Sequence, residues 1–354
     1  MKIAILGAGN AGCAVAADLT IKGHEVTLIK TSNAMHNDNF KYLQEKGFMH
    51  LHENEYVKEA KIHRITKDFS YLTDVEVIIV FIQTNYHENL IKKIKNHLRD
   101  NHIIIFNPGY LSTAFMLKHI KNKKISIVEA QSSFIDCRIT EPGHINVSFR
   151  NVRNPIGVFP KKDVRKVKTK LDKLGYPIVY LSSVVEAALH NPNLIVHTVG
   201  AIMSIPRIEK TLGNYCMYHE VFTPSVWNIL EKLDEEKMNV LESLGFERLP
   251  YVEACKYRNS LDDTRDAKEV FFSYALMPNV VKGPSTVNSR YITEDVPQGL
   301  VMLESLARHL NIQTPICTAL IEMANAALCT DFRLEGRTLN RLGISNIEAI
   351  LSDI

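Results

Sequence analysis

The chain has 354 residues, enough for two domains with a sizeable core. Apolar residues make up 45% and charged residues 23%, the balance of an ordinary globular protein rather than a disordered one. The net charge of +3 is spread along the chain, with short basic runs only at Lys161-Lys162 and 121–124; it provides no basic field, and nucleic acid is excluded as an expected partner.

The first apolar run, residues 3–6, is too short for a secretory core, and no stretch approaches the roughly 18 apolar residues of a membrane span. Cys13, Cys137, Cys216, Cys255, Cys317 and Cys329 are scattered without a C-x-x-C pair or a metal-ligand spacing. The expectation is a cytoplasmic protein with reduced thiols, no metal and no membrane partner.

Strand and helix patterns alternate through the first half. Residues 2–6 read as a strand, 11–22 as a helix with Ala14, Val15 and Leu19 on one face, and 25–29 as a second strand. The continuous run 75–81 predicts a parallel strand buried on both faces. A helix at 87–98, a strand at 103–106 ended by Asn107-Pro108-Gly109, and strands at 125–130 and 155–159 follow. The alternation predicts a doubly wound, mainly parallel α/β domain of the Rossmann type over residues 1–182. From 183 to 354 the pattern is helical, at 184–205, 224–244, 266–274, 296–310 and 314–329, and predicts an all-α domain. No internal repeat or low-complexity segment interrupts either half.

Gly7-Ala8-Gly9-Asn10-Ala11-Gly12 follows the first strand and opens the first helix, the context that a dinucleotide fingerprint requires. Gly7 allows the tight turn, Gly9 lets the backbone approach a pyrophosphate, and Gly12 lets helix and strand pack closely. With Asn10 and Ala11, these residues are the expected phosphate cradle at a helix N-terminus. The position that ends the second strand separates NAD from NADP: a carboxylate there binds the ribose 2′-hydroxyl. Here it is Lys30, followed by Thr31 and Ser32, and no carboxylate appears before Asp38. A 2′-phosphate would be attracted by the lysine and bonded by the hydroxyls, so NADP is the expected cofactor, with NAD still open. Gln83 and Thr84, after the fourth strand, and Asn107 to Gly109, after the fifth, are placed to meet the cofactor.

Hydride-transfer chemistry on a carbonyl or imine needs a proton carrier, a group to orient it and a cation for the substrate carboxylate. His190 lies just before Pro192, which breaks an otherwise apolar helix. A lone histidine is more often structural, and at this point both readings stay open. In the segment 289–297, Thr293 or Asp295 suits the cap of a helix beginning near Pro297, which leaves Arg290 unexplained. His197, two turns beyond His190, reads as packing. Glu129 and Gln131 end a strand facing the crevice and are candidates for substrate contact. His219, Arg258, Arg265 and Arg337 cannot be told from surface or interdomain residues. Trp227 and the cluster Phe271, Phe272 and Tyr274 read as core or pocket wall.

Taken together, GAGNAG at 7–12, NPG at 107–109, HNPN at 190–193, RYITEDVP at 290–297 and DFRLEGRTLNRLGI at 331–344 resemble the octopine/nopaline (opine) dehydrogenase family over nearly the whole chain. The resemblance implies reductive condensation of an amino acid with a 2-oxo acid such as pyruvate, using NAD(P)H, to give a secondary-amine dicarboxylate. It also implies that His190 is the catalytic histidine, Asp295 its partner and Arg290 the residue that binds a substrate carboxylate. The family's usual acid after the second strand is missing here, in line with Lys30. Two other readings compete. One is a reductase of the ketopantoate or hydroxyacid type acting on a ketone without an amine; such enzymes commonly use a lysine, and Lys210 and Lys282 lie in no pattern that fits. The other is a non-catalytic dinucleotide-binding regulator. The apolar faces of the helical half could serve a homodimer or the core alone.

Overall fold

The structure is a computed structural model that describes residues 1–276 and 282–354. It divides into two compact units, Met1–Ala188 with Ser352–Ile354, and Leu189–Leu351. The division falls six residues beyond the one expected after 182. The reason is local: a Cβ on Gly157 would stand 2.3 Å from the Ser183 carbonyl oxygen, so the chain beginning the next helix lies directly on the first unit's sheet.

The first unit is built on an eight-stranded sheet and a four-stranded one. The strands are β1 Lys2–Leu6, β2 Glu25–Ile29, β3 Phe48–Glu53, β4 Tyr56–Lys61, β5 Arg64–Thr66, β6 Val77–Val80, β7 Ile103–Phe106, β8 Ser126–Ala130, β9 Ile135–Glu141, β10 His144–Arg150, β11 Asn154–Phe159 and β12 Ile178–Tyr180. The large sheet has the order β12-β11-β8-β7-β6-β1-β2-β5, and every pairing is parallel except β11 with β8. Its centre is fully buried: β6 (VIIV) and β7 (IIIF) have no exposed residue, as continuous apolar strands covered on both faces should.

The small sheet, β4-β3-β10-β9, was not anticipated. It braces the first helix, Asn10–Ile21. Asn10 Oδ1 accepts from Ile139 N of β9 at 2.9 Å, and Asn39 Oδ1 accepts from Gly143 N at 2.9 Å. Farther along that helix, buried Asp18 accepts from Tyr176 Oη at 2.7 Å and pairs with Arg150 of β10 at 3.0 Å. The helix that opens the dinucleotide fingerprint is thereby held at both ends.

The second unit is helical throughout its described residues. Its principal helices are Pro192–Met203, Pro224–Ser243, Tyr251–Asn259, Ala267–Ala275, Val301–His309 and Pro315–Leu328. Pro192 does restart the chain's helical course: Val184–Leu189 stops short, and Asn191 caps the next helix by accepting from Asn193 N at 3.0 Å. An aromatic cluster of Phe222, Trp227, Tyr251, Phe271 and Phe272 fills one part of the core, with Trp227 and Phe271 centroids 5.2 Å apart. That places Trp227 and Phe271 in the core; the Tyr274 side chain lies outside the described residues. No described helix is long and apolar enough to cross a membrane.

Candidate active site

In the first unit, the fingerprint glycines sit where each is required. Gly7 has φ +114, and a Cβ there would fall 2.3 Å from the Phe81 carbonyl oxygen. A Cβ on Gly12 would fall 1.8 Å from the Gly7 carbonyl oxygen, so only glycine lets helix and strand meet. Gly9 differs: a Cβ there would meet nothing nearer than the His36 ring, at 3.6 Å. It packs against no backbone, and the space above it suits a pyrophosphate. Gly9 is also the N-cap of the first helix and provides no side-chain cap, so the helix's leading N–H groups are available to an anion. Asn10 and Ala11 contribute through their backbone, since the Asn10 side chain is engaged with β9.

At the end of β2, Lys30 is buried and donates to the Met35 carbonyl oxygen. Lys67, just past β5, lies beside it. Both ammonium groups stand 5.6 Å from the Phe40 ring centroid, and Lys67 also donates to Asn33 Oδ1 at 2.9 Å. Among the described residues neither lysine pairs with a carboxylate. Burial first, and Lys67 second, pull the Lys30 pKa down; burial and Lys30 do the same to His36. Thr31 is half-buried and Ser32 exposed beside this cluster. Lys67 and His36 were missed in the sequence: Lys67 follows a strand of only three residues, and His36 lies in a stretch without periodicity.

The C-terminal ends of β6, β7 and β8 carry the remaining first-unit candidates. Gln83 is half-buried and Thr84 fully buried in a 3-10 turn after β6. Asn107, after β7, is 3% exposed, and both its side-chain polar atoms lack a hydrogen-bond partner. Gln131, after β8, is 2% exposed with Oε1 unpartnered. Two buried amides with unmet hydrogen-bonding capacity on neighbouring strands fit a polar ligand.

Glu129 requires correction. Its carboxylate is fully buried and committed to the chain: Leu111 N donates to Oε2 at 2.8 Å, and Thr113 N and Oγ1 each donate to Oε1 at 2.7 Å. It pins the 107–113 loop, where Tyr110 and Leu111 are left-handed, and it explains Gly109, whose Cβ would lie 2.0 Å from Glu129 Oε2. Glu129 shapes the loop, and its carboxylate is engaged by these donors instead of standing open to a ligand. Glu129→Ala is therefore expected to destabilise the fold by about 3 kcal/mol, through orphaned buried donors, with a matching fall in thermal midpoint. A midpoint within a degree of wild type would show the loop holds itself.

In the second unit, Asp295 finds a histidine, but not the expected one. His197 Nδ1 is 2.8 Å from Asp295 Oδ2, with both side chains nearly buried. Nε2 makes no hydrogen bond among the described residues. The Tyr291 ring stacks on the imidazole, with centroids 3.7 Å apart and planes 5° from parallel. His190 lies outside that helix, in the break before Pro192, and among the described residues it makes no hydrogen bond or ion pair with Asp295. It is 5% exposed, its Nδ1 has no partner, and burial, with Lys237 adding to it, lowers its pKa to about 3. A buried neutral imidazole with no acid beside it is a poor proton carrier at neutral pH. The assignment of His190 as Asp295's partner is thus replaced by His197.

Arg290 begins the short helix Arg290–Thr293, with Nε 3.2 Å from Glu294 Oε2 and its side chain 48% exposed. The guanidinium is presented to solvent at one end of the turn that carries Tyr291 and Asp295. Of the residues left undecided by sequence, Arg337 is wholly buried, Arg258 is buried, Arg265 pairs with Glu269 at 2.8 Å, and His219 is exposed. Lys210 and Lys282 are exposed, and no described group of His, Cys, Asp and Glu could hold a metal ion.

Comparison with known proteins gives separate matches for the two parts of the chain. Residues 180–328 match the family model described as NAD/NADP octopine/nopaline dehydrogenase, alpha-helical domain; residues 3–161 match that of ketopantoate reductase PanE/ApbA. The chain is 28% identical to an opine dehydrogenase of Arthrobacter sp. (strain 1C), across 98% of this chain and 96% of that protein. Octopine dehydrogenase solved with NADH and L-arginine superposes with a TM-score of 0.78 at 16% identity, covering 100% of this chain and 98% of the other. Yersinopine dehydrogenase with NADP+ bound gives 0.72 at 14% identity, covering 99% and 95%.

Proposed function

We propose that this chain, an NAD(P)-dependent oxidoreductase acting on CH–NH donors that is similar to the octopine/nopaline (opine) dehydrogenase family, condenses an amino acid with a 2-oxo acid such as pyruvate, with NADPH preferred and His197 as its acid–base group. The single observation that carries the catalytic assignment is the His197 Nδ1–Asp295 contact at 2.8 Å beside an uncommitted Nε2.

Asp295 accepts the Nδ1 proton and so fixes the tautomer that leaves a lone pair on Nε2. Nε2 can then take a proton from the substrate ammonium, freeing the amine to attack the keto carbon. The resulting imidazolium is stabilised by the Asp295 carboxylate and by the face of Tyr291. It returns the proton to the carbinolamine hydroxyl, which leaves as water and gives the imine. NADPH, when bound, would supply the hydride for reduction to the secondary amine. Arg290, at the exposed end of the same turn, is assigned to a substrate carboxylate in bidentate fashion. In the first unit, Gly7, Gly9, Gly12 and the helix N-terminus would hold the pyrophosphate, Lys30 and Lys67 with Thr31 and Ser32 the 2′-phosphate, and Asn107, Gln131, Gln83 and Thr84 the polar groups near the strand ends.

The assay is the loss of reduced-nicotinamide absorbance with pyruvate or another 2-oxo acid, with and without a panel of amino acids. Oxidation is expected only when oxo acid and amine are both present. Equal rates without any amine would instead support a ketone reductase like those matched by residues 3–161.

A further inference from the structure

The dyad aspartate is followed by an unusual turn. Val296–Leu300 winds as a π-helix before Val301–His309 continues as an α-helix, and Asp295 is the residue immediately ahead of it. Such turns cost regular hydrogen bonding and persist where something holds them. What packs on this one is Arg337, 0% exposed and the largest fully buried side chain described. Its Nε donates to Gln298 Oε1 at 2.8 Å, and its backbone N–H donates to the Pro297 carbonyl oxygen at 2.9 Å. The neighbouring Gly336 approaches so closely that a Cβ would stand 2.8 Å from that same Pro297 oxygen and 2.6 Å from Val301 Cγ1. A side chain and a backbone group thus grip two residues of the turn at once.

A guanidinium is among the costliest groups to bury, and an apolar side chain would fill the same volume at less cost. Its retention points to geometry rather than bulk. We infer that Arg337 is a positioning residue, which fixes the winding of residues 296–300 and thereby aims the Asp295 carboxylate at His197 Nδ1. This rests on the reading of His197 and Asp295 as the proton-transfer pair. Arg290 and Glu294, paired just before Asp295, and Tyr291, stacked on His197, are the neighbouring charged or titratable groups along this segment; none is altered in the test.

The sign of one measurement separates positioning from charge. Removing the Arg337 cation would, through charge alone, make an imidazolium at His197 easier to form and raise its titration midpoint. Loosening Asp295 would make it harder to form and lower the midpoint. The experiment compares Arg337→Gln and Gln298→Leu in the full chain, the second keeping the guanidinium and serving should the first fold poorly. His197 is titrated by NMR, assigned from the signal lost in His197→Asn, and steady-state constants are measured with NADPH, pyruvate and the accepted amino acid. Both variants are expected to lower the midpoint, and to reduce kcat about tenfold with KM changed less than about threefold. A midpoint that rises or stays, whatever the change in thermal stability, overturns the positioning role. The outcomes remain distinct from those of the underlying reading: if His197→Asn stays active while Arg337→Gln still lowers the midpoint, the acid–base assignment fails and the positioning role stands.

Discussion

His197→Asn is expected to lower kcat/KM by about a thousandfold, the scale of a lost general acid–base group, while His190→Asn stays within about threefold of wild type. The contrast follows from the surroundings of the two rings. His197 has a carboxylate at 2.8 Å on one nitrogen and no hydrogen bond on the other. His190 has no carboxylate, and burial holds its pKa at about 3, so it is neutral across the working range and has no proton to give. Asp295→Asn should fall close to His197→Asn, because an amide can present its N–H to Nδ1 and leave Nε2 protonated, the wrong tautomer for accepting a proton. Steady-state kinetics on the three variants, with thermal midpoints to exclude unfolding, decide the matter. Loss of activity in His190→Asn with His197→Asn unaffected would restore the assignment that the sequence motif suggested.

The two histidines show where reading a sequence stops. His190 stands beside a helix-breaking proline and draws attention, whereas His197 sits in Ile195-Val196-His197-Thr198-Val199, where it looks like packing. The signal that could have distinguished them is the polarity of His197 within a helix buried nearly all round: every residue from Leu194 to Ile202 is buried, and a histidine placed there must have a partner. Sequence shows the requirement without naming the partner, which is 98 positions away. Glu129 failed in the opposite direction. An acid at a strand end looks the same whether it meets a ligand or a loop, and only the amides of Leu111 and Thr113 settle which.

The fold was legible wherever burial is two-sided. The continuous runs of β6 and β7 and the glycine spacing after β1 admit few other structures. The small sheet was not legible, because β4 buries only Ala60 among its six residues and β10 pairs with β3 from more than ninety positions away, His144 opposite His50. The π-turn was invisible for a related reason: an apolar run at 296–310 reads the same whether or not its first turn is widened, and the grip of Arg337 is a long-range contact.

Cofactor choice gives the second large effect. Lys30→Asp is expected to raise KM for NADPH about a hundredfold while leaving KM for NADH unchanged or lower. The wild-type cluster sets two ammonium groups near one phenyl ring, with neither paired to a carboxylate among the described residues, and burial first, then their mutual repulsion, depresses the Lys30 pKa. A 2′-phosphate dianion arriving there relieves that repulsion and forms charge-assisted hydrogen bonds; a 2′-hydroxyl does neither. Reversing the charge at Lys30 adds repulsion against the phosphate and provides the acceptor that an NAD ribose uses. Lys67→Ala should move in the same direction by a smaller factor, since it removes one cation without adding an anion. The measurement is the ratio of kcat/KM for NADPH to that for NADH in each protein. If the ratio is unchanged in Lys30→Asp, the cluster does not touch the ribose and the proposed role of Lys30 fails. If it collapses in Lys30→Asp and falls partway in Lys67→Ala, the two lysines act together on the phosphate, and the missing acid after β2 accounts for the proposed preference for NADPH.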